Sequence, residues 1–319
     1  MKQSPFEQAH ADEWDAFEKF LDQPHRPPFD PAEMPSRFRR LCQSLALAAQ
    51  RCYSTDLVDR LNRLALRGHH ALYANRRRES QQVLEFMIAG FPRLVRQEWR
   101  LVAAAAALFF GPLVGLVLLL QVFPDFVHYL LSPGQIASFH EMYDPANRRL
   151  GMREADTSML MFGYYIWNNV RIGFQTFAGG MLAGVGSAFF LGSNGVIIGA
   201  VAGYLTQVGY GETFWSFVAG HSSLELVAIV LSGAAGFRLG LAIVSPGNAS
   251  RKAALVAAAR PAVRLMYGAA LMFFGAAFVE AFWSPTTDFP FTLKIAVGIS
   301  GWVILLGYLV FAGRGRATR

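Results

Sequence analysis

From residue 101 onward the chain runs in long apolar stretches separated by short polar ones, a rhythm unlike the mixed segments before it. Six stretches stand out: residues 101–123, 173–191, 196–208, 219–244, 265–283 and 291–312. A helical run of about 20 apolar residues crosses the hydrocarbon core of a bilayer, so the pattern predicts an all-α, polytopic helical membrane protein with about six spans. Residues 159–170 are apolar as well, yet they include Tyr164, Tyr165 and Trp167. One helix from there to residue 191 would be about 50 Å long, more than a bilayer accommodates. The expectation is therefore an interfacial helix over 159–170, then a second span from Gly173. Gly192-Ser193-Asn194-Gly195 predicts a turn before the third segment. That segment is only about 20 Å long, which leaves two readings: the second and third segments cross separately, or they form a re-entrant hairpin.

Before residue 101 the periodicity is that of amphipathic helices. Residues 6–21 set Trp14, Phe17 and Phe20 behind an acidic face, and the proline-rich 24–35 stretch ends that helix. A second helix is expected over 36–52. A third starts at Ser54 or Thr55 and carries Leu57, Leu61, Leu64 and Leu72 toward Arg76-Arg77-Arg78. Together they predict a cytoplasmic helical bundle over residues 1–80. In residues 83–99 the apolar Phe86, Met87, Ile88, Phe91, Leu94 and Val95 interleave with Arg93 and Arg96 around Gly90-Phe91-Pro92. This predicts an interfacial elbow helix over 81–100, joining the bundle to a membrane domain over 101–319.

Charge sharpens the picture. Only 16% of residues are charged against 53% hydrophobic, with a formal net charge of +7, whereas an ordinary soluble domain has about a quarter of its residues charged. Residues 1–36 hold three basic and eight acidic side chains, and residues 37–100 hold thirteen and five. Cationic residues beside spans mark the cytoplasmic side. They place the N-terminal unit there, together with the 245–264 loop (Arg251, Lys252, Arg260, Arg264) and the C-terminus (Arg314, Arg316, Arg319). Segment 124–157 then lies outside a bacterial cytoplasmic (inner) membrane. Orientation and anionic lipid account for the basic excess, and no interleaved aromatic and basic motif points to nucleic acid. The acidic opening has no apolar core, so it is not read as a signal peptide. Cys42 and Cys52 are expected to be packing residues.

Candidate chemistry lies in the polar residues of the apolar segments. Asn168, Asn169 and Arg171 enter the second span, His221 and Glu225 the fourth, while Glu280 closes the fifth and Lys294 opens the sixth. Buried ions in a bilayer pair or line wet cavities. Their spacing predicts one outer-leaflet polar cluster, with His221 and Glu225 on a shared helical face. Such a cluster suits an ion-pair network, a proton or ion relay, or a binding site, and the residues leave all three open. Sixteen of the 30 glycines fall between 173 and 247. Gly195, Gly199 and Gly203, Gly180 with Gly184, and Gly236 with Gly240 repeat at four-residue steps that let helices approach closely, within one chain or in a homodimer. Arg238 is expected to snorkel to the inner interface. Catalytic patterns fail: Gly220-His221-Ser222-Ser223-Leu224 lacks the closing glycine of a serine elbow, and His221 with Glu225 lacks the second histidine of the helical zinc pattern. Adjacent His69 and His70 point apart. No phosphate-binding loop is present. The expectation is a protein with no enzymatic activity, no cofactor and no metal, whose partners are the lipid bilayer and other membrane proteins.

The chain resembles the stage II sporulation protein M family of bacterial integral membrane proteins over nearly its whole length. The resemblance rests on Asn168-Asn169 and the following Gly179 region, Asn194-Gly195, His221 to Leu226, Gly233 through Gly236, Pro246, and Glu280-Ala281-Phe282 leading to Ser284-Pro285. Leu61-Asn62-Arg63-Leu64 also fits. Ser222 departs from the pattern, standing where glycine is expected after the histidine. In spore formers the founding member belongs to a membrane complex that drives peptidoglycan remodelling during engulfment, and relatives occur in bacteria that form no spores. The resemblance thus implies a membrane scaffold or complex component. A transporter or channel component that uses the charged cluster is the alternative.

Overall fold

The computed structural model describes residues 2–23, 27–146 and 158–315, with the side chains of all of these except 73–80. The side chains of Arg76, Arg77 and Arg78, the end of the 124–157 segment, and Arg316 and Arg319 lie outside the described residues. Among those described there is no strand. The chain divides into two compact units, Met1–Glu85 and Phe86–Arg319.

The first unit holds α1 (Gln3–Asp22), α2 (Met34–Gln50) and α3 (Thr55–Glu85). Phe6, Trp14 and Phe17 of α1 meet Leu41 of α2 and Leu57, Leu61 and Leu64 of α3 in one core. Gly68 leaves the space in α3 that the Phe17 and Phe38 rings fill. The split in charge is resolved within this unit, where the acidic face of α1 meets basic side chains of α2 and α3. Arg60 reaches Asp15 at 2.7 Å and Glu18 at 3.0 Å, Arg67 pairs with Asp22, and Arg40 with Glu13. Hydrogen bonds to Asp15 and Glu18 hold the Arg60 guanidinium above its ordinary pKa. Cys42 is half-buried, while Cys52 is exposed with a positive φ of 50° and is not a packing residue.

The second unit opens with a single π turn at Phe86–Gly90 and the short α4 (Phe91–Gln97), so Gly90-Phe91-Pro92 does break the segment. The apolar side of α4 is buried in protein: the Phe91 ring lies against Gly268. Its Arg96 donates to the carbonyls of Leu309 (2.6 Å) and Ala312 (2.8 Å), and Arg93 to that of Gly313 (3.2 Å). These are carbonyls left unpaired by a helix C-terminus, which cations satisfy well.

Seven helices follow: α5 (Trp99–Val122), α6 (Pro133–Tyr143), α7 (Ser158–Ala178), α8 (Val185–Gln207), α9 (Gly211–Val244), α10 (Arg251–Phe282) and α11 (Phe291–Phe311). Five of them, α5 and α8 through α11, are long and apolar enough to cross a membrane. In α9 most side chains on every side are buried, because the other spans surround it. Residue pairings fix the directions. Gly233 meets Leu191 and Gly240 meets Gly184, so α8 and α9 are antiparallel; Gly298 meets Ala219 and Gly301 meets Ser223, so α9 and α11 are parallel. Gly195, Gly199 and Gly203 of α8 lie on the backbone of α5 at Phe109, Leu113 and Leu116. All three glycine sets therefore pack helices of this same chain.

The second and third segments differ from expectation. Residues 159–170 are not a separate interfacial helix but the first half of α7, and no helix begins at Gly173. The break falls at Gly179–Met181 and the turn after it, where Ala183 (φ 54°) and Gly184 (φ 85°) adopt left-handed backbone. Gly192 to Gly195, expected as a turn, lie inside α8. Close approach sets the position of the break: Gly180 sits against the backbone of Gly236, where any side chain would collide. Ser187 then donates to the Thr176 carbonyl at 2.6 Å, closing the hairpin. With the turn moved, α8 has 23 residues and is about 34 Å long, enough for a full crossing without a re-entrant loop.

Candidate intramembrane polar site

The site begins with a missing side chain. Gly220 on α9 admits the Trp283 indole, which brings the end of α10 and the connection after it onto the N-terminal half of α9. Ser284, fully buried, then lies beside His221, with its Oγ 3.0 Å from Nδ1. The opposite ring nitrogen, Nε2, faces Glu225 Oε2 at 3.6 Å, one turn deeper on the same helix. Glu280 enters from α10. One ligating atom from each of His221, Glu225 and Glu280 lies within 4.8 Å of the others. His221 is only 3% exposed.

An aromatic cover closes the outer side. Tyr143, the last residue of α6, packs edge-on against Phe214 and Phe217, and Phe217 meets the His221 ring edge-on with centroids 5.6 Å apart. Thr213 Oγ1 donates to the Tyr143 carbonyl at 2.6 Å and holds the cover down. Burial pushes the Tyr143 phenol well above its ordinary pKa, and Tyr165, Glu280 and Glu225 act in the same direction. Tyr143 stays a neutral lid.

The expected cations do not join the carboxylates in the way charge balance suggested. Lys294 is 1% exposed, but its Nζ donates to the carbonyls of Ser284 (2.8 Å) and Thr286 and lies 5.5 Å from the Trp283 ring centre. It fastens the connection that carries Ser284. Arg171 projects from the exposed face of α7 and donates to Asn168 Oδ1 at 3.3 Å. Asn169 is buried, and its Oδ1 accepts from Asn168 Nδ2 at 3.4 Å. Of the seven residues expected in one cluster, His221, Glu225 and Glu280 meet, Lys294 supports them through Ser284, Asn169 is buried in α7 beside Asn168, and Asn168 and Arg171 lie toward the exposed face of α7. Arg238 lies 3.6 Å from Glu98 at the other end of α9.

Two participants were not expected. Ser284 had a signal, standing four residues after Glu280 in the resembling stretch. Tyr143 had none, because its place depends on α6 folding back over α9. Ser222, the departure from the family pattern, accepts from Trp302 Nε1 at 3.1 Å and so ties α9 to α11.

A helical bundle with five helices long and apolar enough to cross a membrane, and a covered His-Glu-Glu site among the described residues, is a polytopic integral membrane protein. Its lineage is equally plain: the family described as Stage II sporulation protein M matches residues 101–285, more than half of the chain, and the chain belongs to that family. Residues 4–74 match a separate description, Domain of unknown function (DUF8413), so the N-terminal helices fall outside the stretch that the first family covers. No curated protein and no solved structure matches the chain.

Proposed function

We propose that this protein is a non-enzymatic component of a membrane protein complex in the bacterial cytoplasmic membrane, with both termini in the cytoplasm. The observation that carries this reading is the outer face of α7. Arg171 and Gln175 are exposed there beside the half-buried Asn168, in line with the exposed Tyr164. The stripe is at mid-height, since Gly173, two residues from Arg171, lies against Phe273 and Ser232 in the middles of α10 and α9. A guanidinium facing lipid at that depth costs several kcal/mol, on the order of 3 by insertion scales. A neighbouring helix that offers a carboxylate or amide removes that cost.

The experiment is photocrosslinking in native membranes from residues that flank the stripe, Val170 and Phe174, both exposed. Discrete protein adducts that are lost in Arg171→Met support the reading, and lipid adducts alone refute it. A second reading, a transporter component, is favoured by the titratable site between α9 and α10. Ion or solute flux in proteoliposomes that changes with Glu225→Gln would support it over the scaffold.

A further inference from the structure

We infer that His221, Glu225 and Glu280 form a binding site for one divalent transition cation of the zinc and manganese class, a property separate from any scaffold role. Three observations point to it. First, the donors converge: an imidazole nitrogen and two carboxylates, from α9 and α10, offer atoms within 4.8 Å of one another. Mixed nitrogen and oxygen donors suit Zn²⁺ or Mn²⁺ better than Ca²⁺ or Mg²⁺.

Second, the spacing is that of ligands. His221 Nε2 and Glu225 Oε2 are 3.6 Å apart, beyond a good N–H···O hydrogen bond. Two ligands at about 2.1 Å from a tetrahedral ion are separated by about 3.4 Å. The remaining separations, all within 4.8 Å, close to that figure with a rotamer adjustment of a glutamate.

Third, the imidazole is aimed by a group outside the triad. Ser284 Oγ is fully buried, 3.0 Å from Nδ1; with the proton on Nδ1 it accepts that N–H, and the Nε2 lone pair then faces the carboxylates. Such an outer partner accompanies nearly every metal-bound histidine, fixing its tautomer and orientation. Lys294 in turn holds the Ser284 carbonyl at 2.8 Å, and Gly220 seats Trp283 beside it, so the aiming group is itself anchored. Three protein ligands leave a fourth position for water or an exchanging ligand, as in open metal sites.

The test uses the full-length protein in nanodiscs, stripped with chelator and titrated with Zn²⁺, Mn²⁺ and Co²⁺. The six other histidines of the chain provide other weak sites, so the readout is the difference between wild type and variants. Wild type should bind one equivalent more than Glu280→Gln or His221→Asn, with affinity at least tenfold higher. Ser284→Ala, which keeps all three ligands, should weaken binding about 10- to 100-fold. If the ligand variants do not fold, X-ray absorption of zinc-loaded wild type decides: one imidazole nitrogen with carboxylate oxygens supports the site. Wild type that binds no more tightly than the folded variants, or a zinc spectrum without an imidazole ligand, overturns it.

Discussion

Lys294 illustrates how a residue can be placed correctly in depth and wrongly in partnership. Its position at the start of α11 puts a cation at the same end of the bundle as His221, and from sequence the obvious counter-charges were Glu225 and Glu280. The structure uses it instead to satisfy two backbone carbonyls in the connection after α10. Those acceptors were invisible in the sequence, because carbonyl direction depends on how Trp283 seats against Gly220. Replacing Lys294 with Met leaves buried carbonyls unsatisfied, and should lower stability in detergent by about 1–3 kcal/mol. Arg171→Met should leave the purified chain within about 0.5 kcal/mol of wild type, because Arg171 is exposed and donates to Asn168, one turn away on the same helix. Thermal unfolding of both variants separates the roles. A comparable loss in each would show that the two cations share one structural network.

At the scale of helices, hydropathy located α5 and α11 well and found the apolar parts of α9 and α10. These two begin at Gly211 and Arg251, before the expected 219 and 265, so most of the expected 245–264 loop, with Arg251, Lys252, Arg260 and Arg264, is the first part of α10. Hydropathy failed for α7 and α8 because two signals misled together: Tyr164, Tyr165 and Trp167 of α7 resembled an interface, and Gly192 with Gly195 resembled a turn. What decides the break is a tertiary contact between Gly180 and Gly236, and no local pattern reports it. The glycines thus divide into those that hold helices together and those that do not. A methyl at Gly180 meets the Gly236 backbone, so Gly180→Ala should destabilise by about 1–3 kcal/mol. A methyl at Gly192 has open space within α8, and Gly192→Ala should be neutral or stabilising by up to about 1 kcal/mol. Equal losses in thermal unfolding would refute that division. The same reasoning explains why His221, Glu225 and Glu280 were legible as a group: depth along apolar helices is readable, and polar side chains at one depth turn toward each other. Ser284 and Tyr143 lie outside the helices that carry this depth signal or at their ends.

The second unit alternates direction through α5, α7, α8, α9, α10 and α11: α5 and α8 run parallel, so α7 carries the chain back, and with α7 counted as a crossing the unit begins and ends on one side. The proposed cytoplasmic placement of that side follows from its arginines and is open to direct measurement. In a variant without Cys42 and Cys52, a cysteine at Gly134, exposed on α6, should label in intact cells. One at Ala249, in the exposed α9–α10 connection, should label only after permeabilisation. The reverse pattern inverts the assignment. The hairpin of α7 and α8 has a further consequence, for the way the chain is made. With Asn168, Asn169 and Arg171 in its second half, α7 is not among the helices apolar enough to cross alone, and an arginine near the centre of a segment opposes its release into lipid by about 3 kcal/mol. As it leaves the ribosome, α7 has to wait for α8, and the two enter the bilayer as a pair. A chain truncated in the Gly179–Met181 turn and followed by a polar tail long enough to clear the ribosome should therefore hold α7 uninserted, and one truncated after Gln207 with the same tail should release both helices into the membrane.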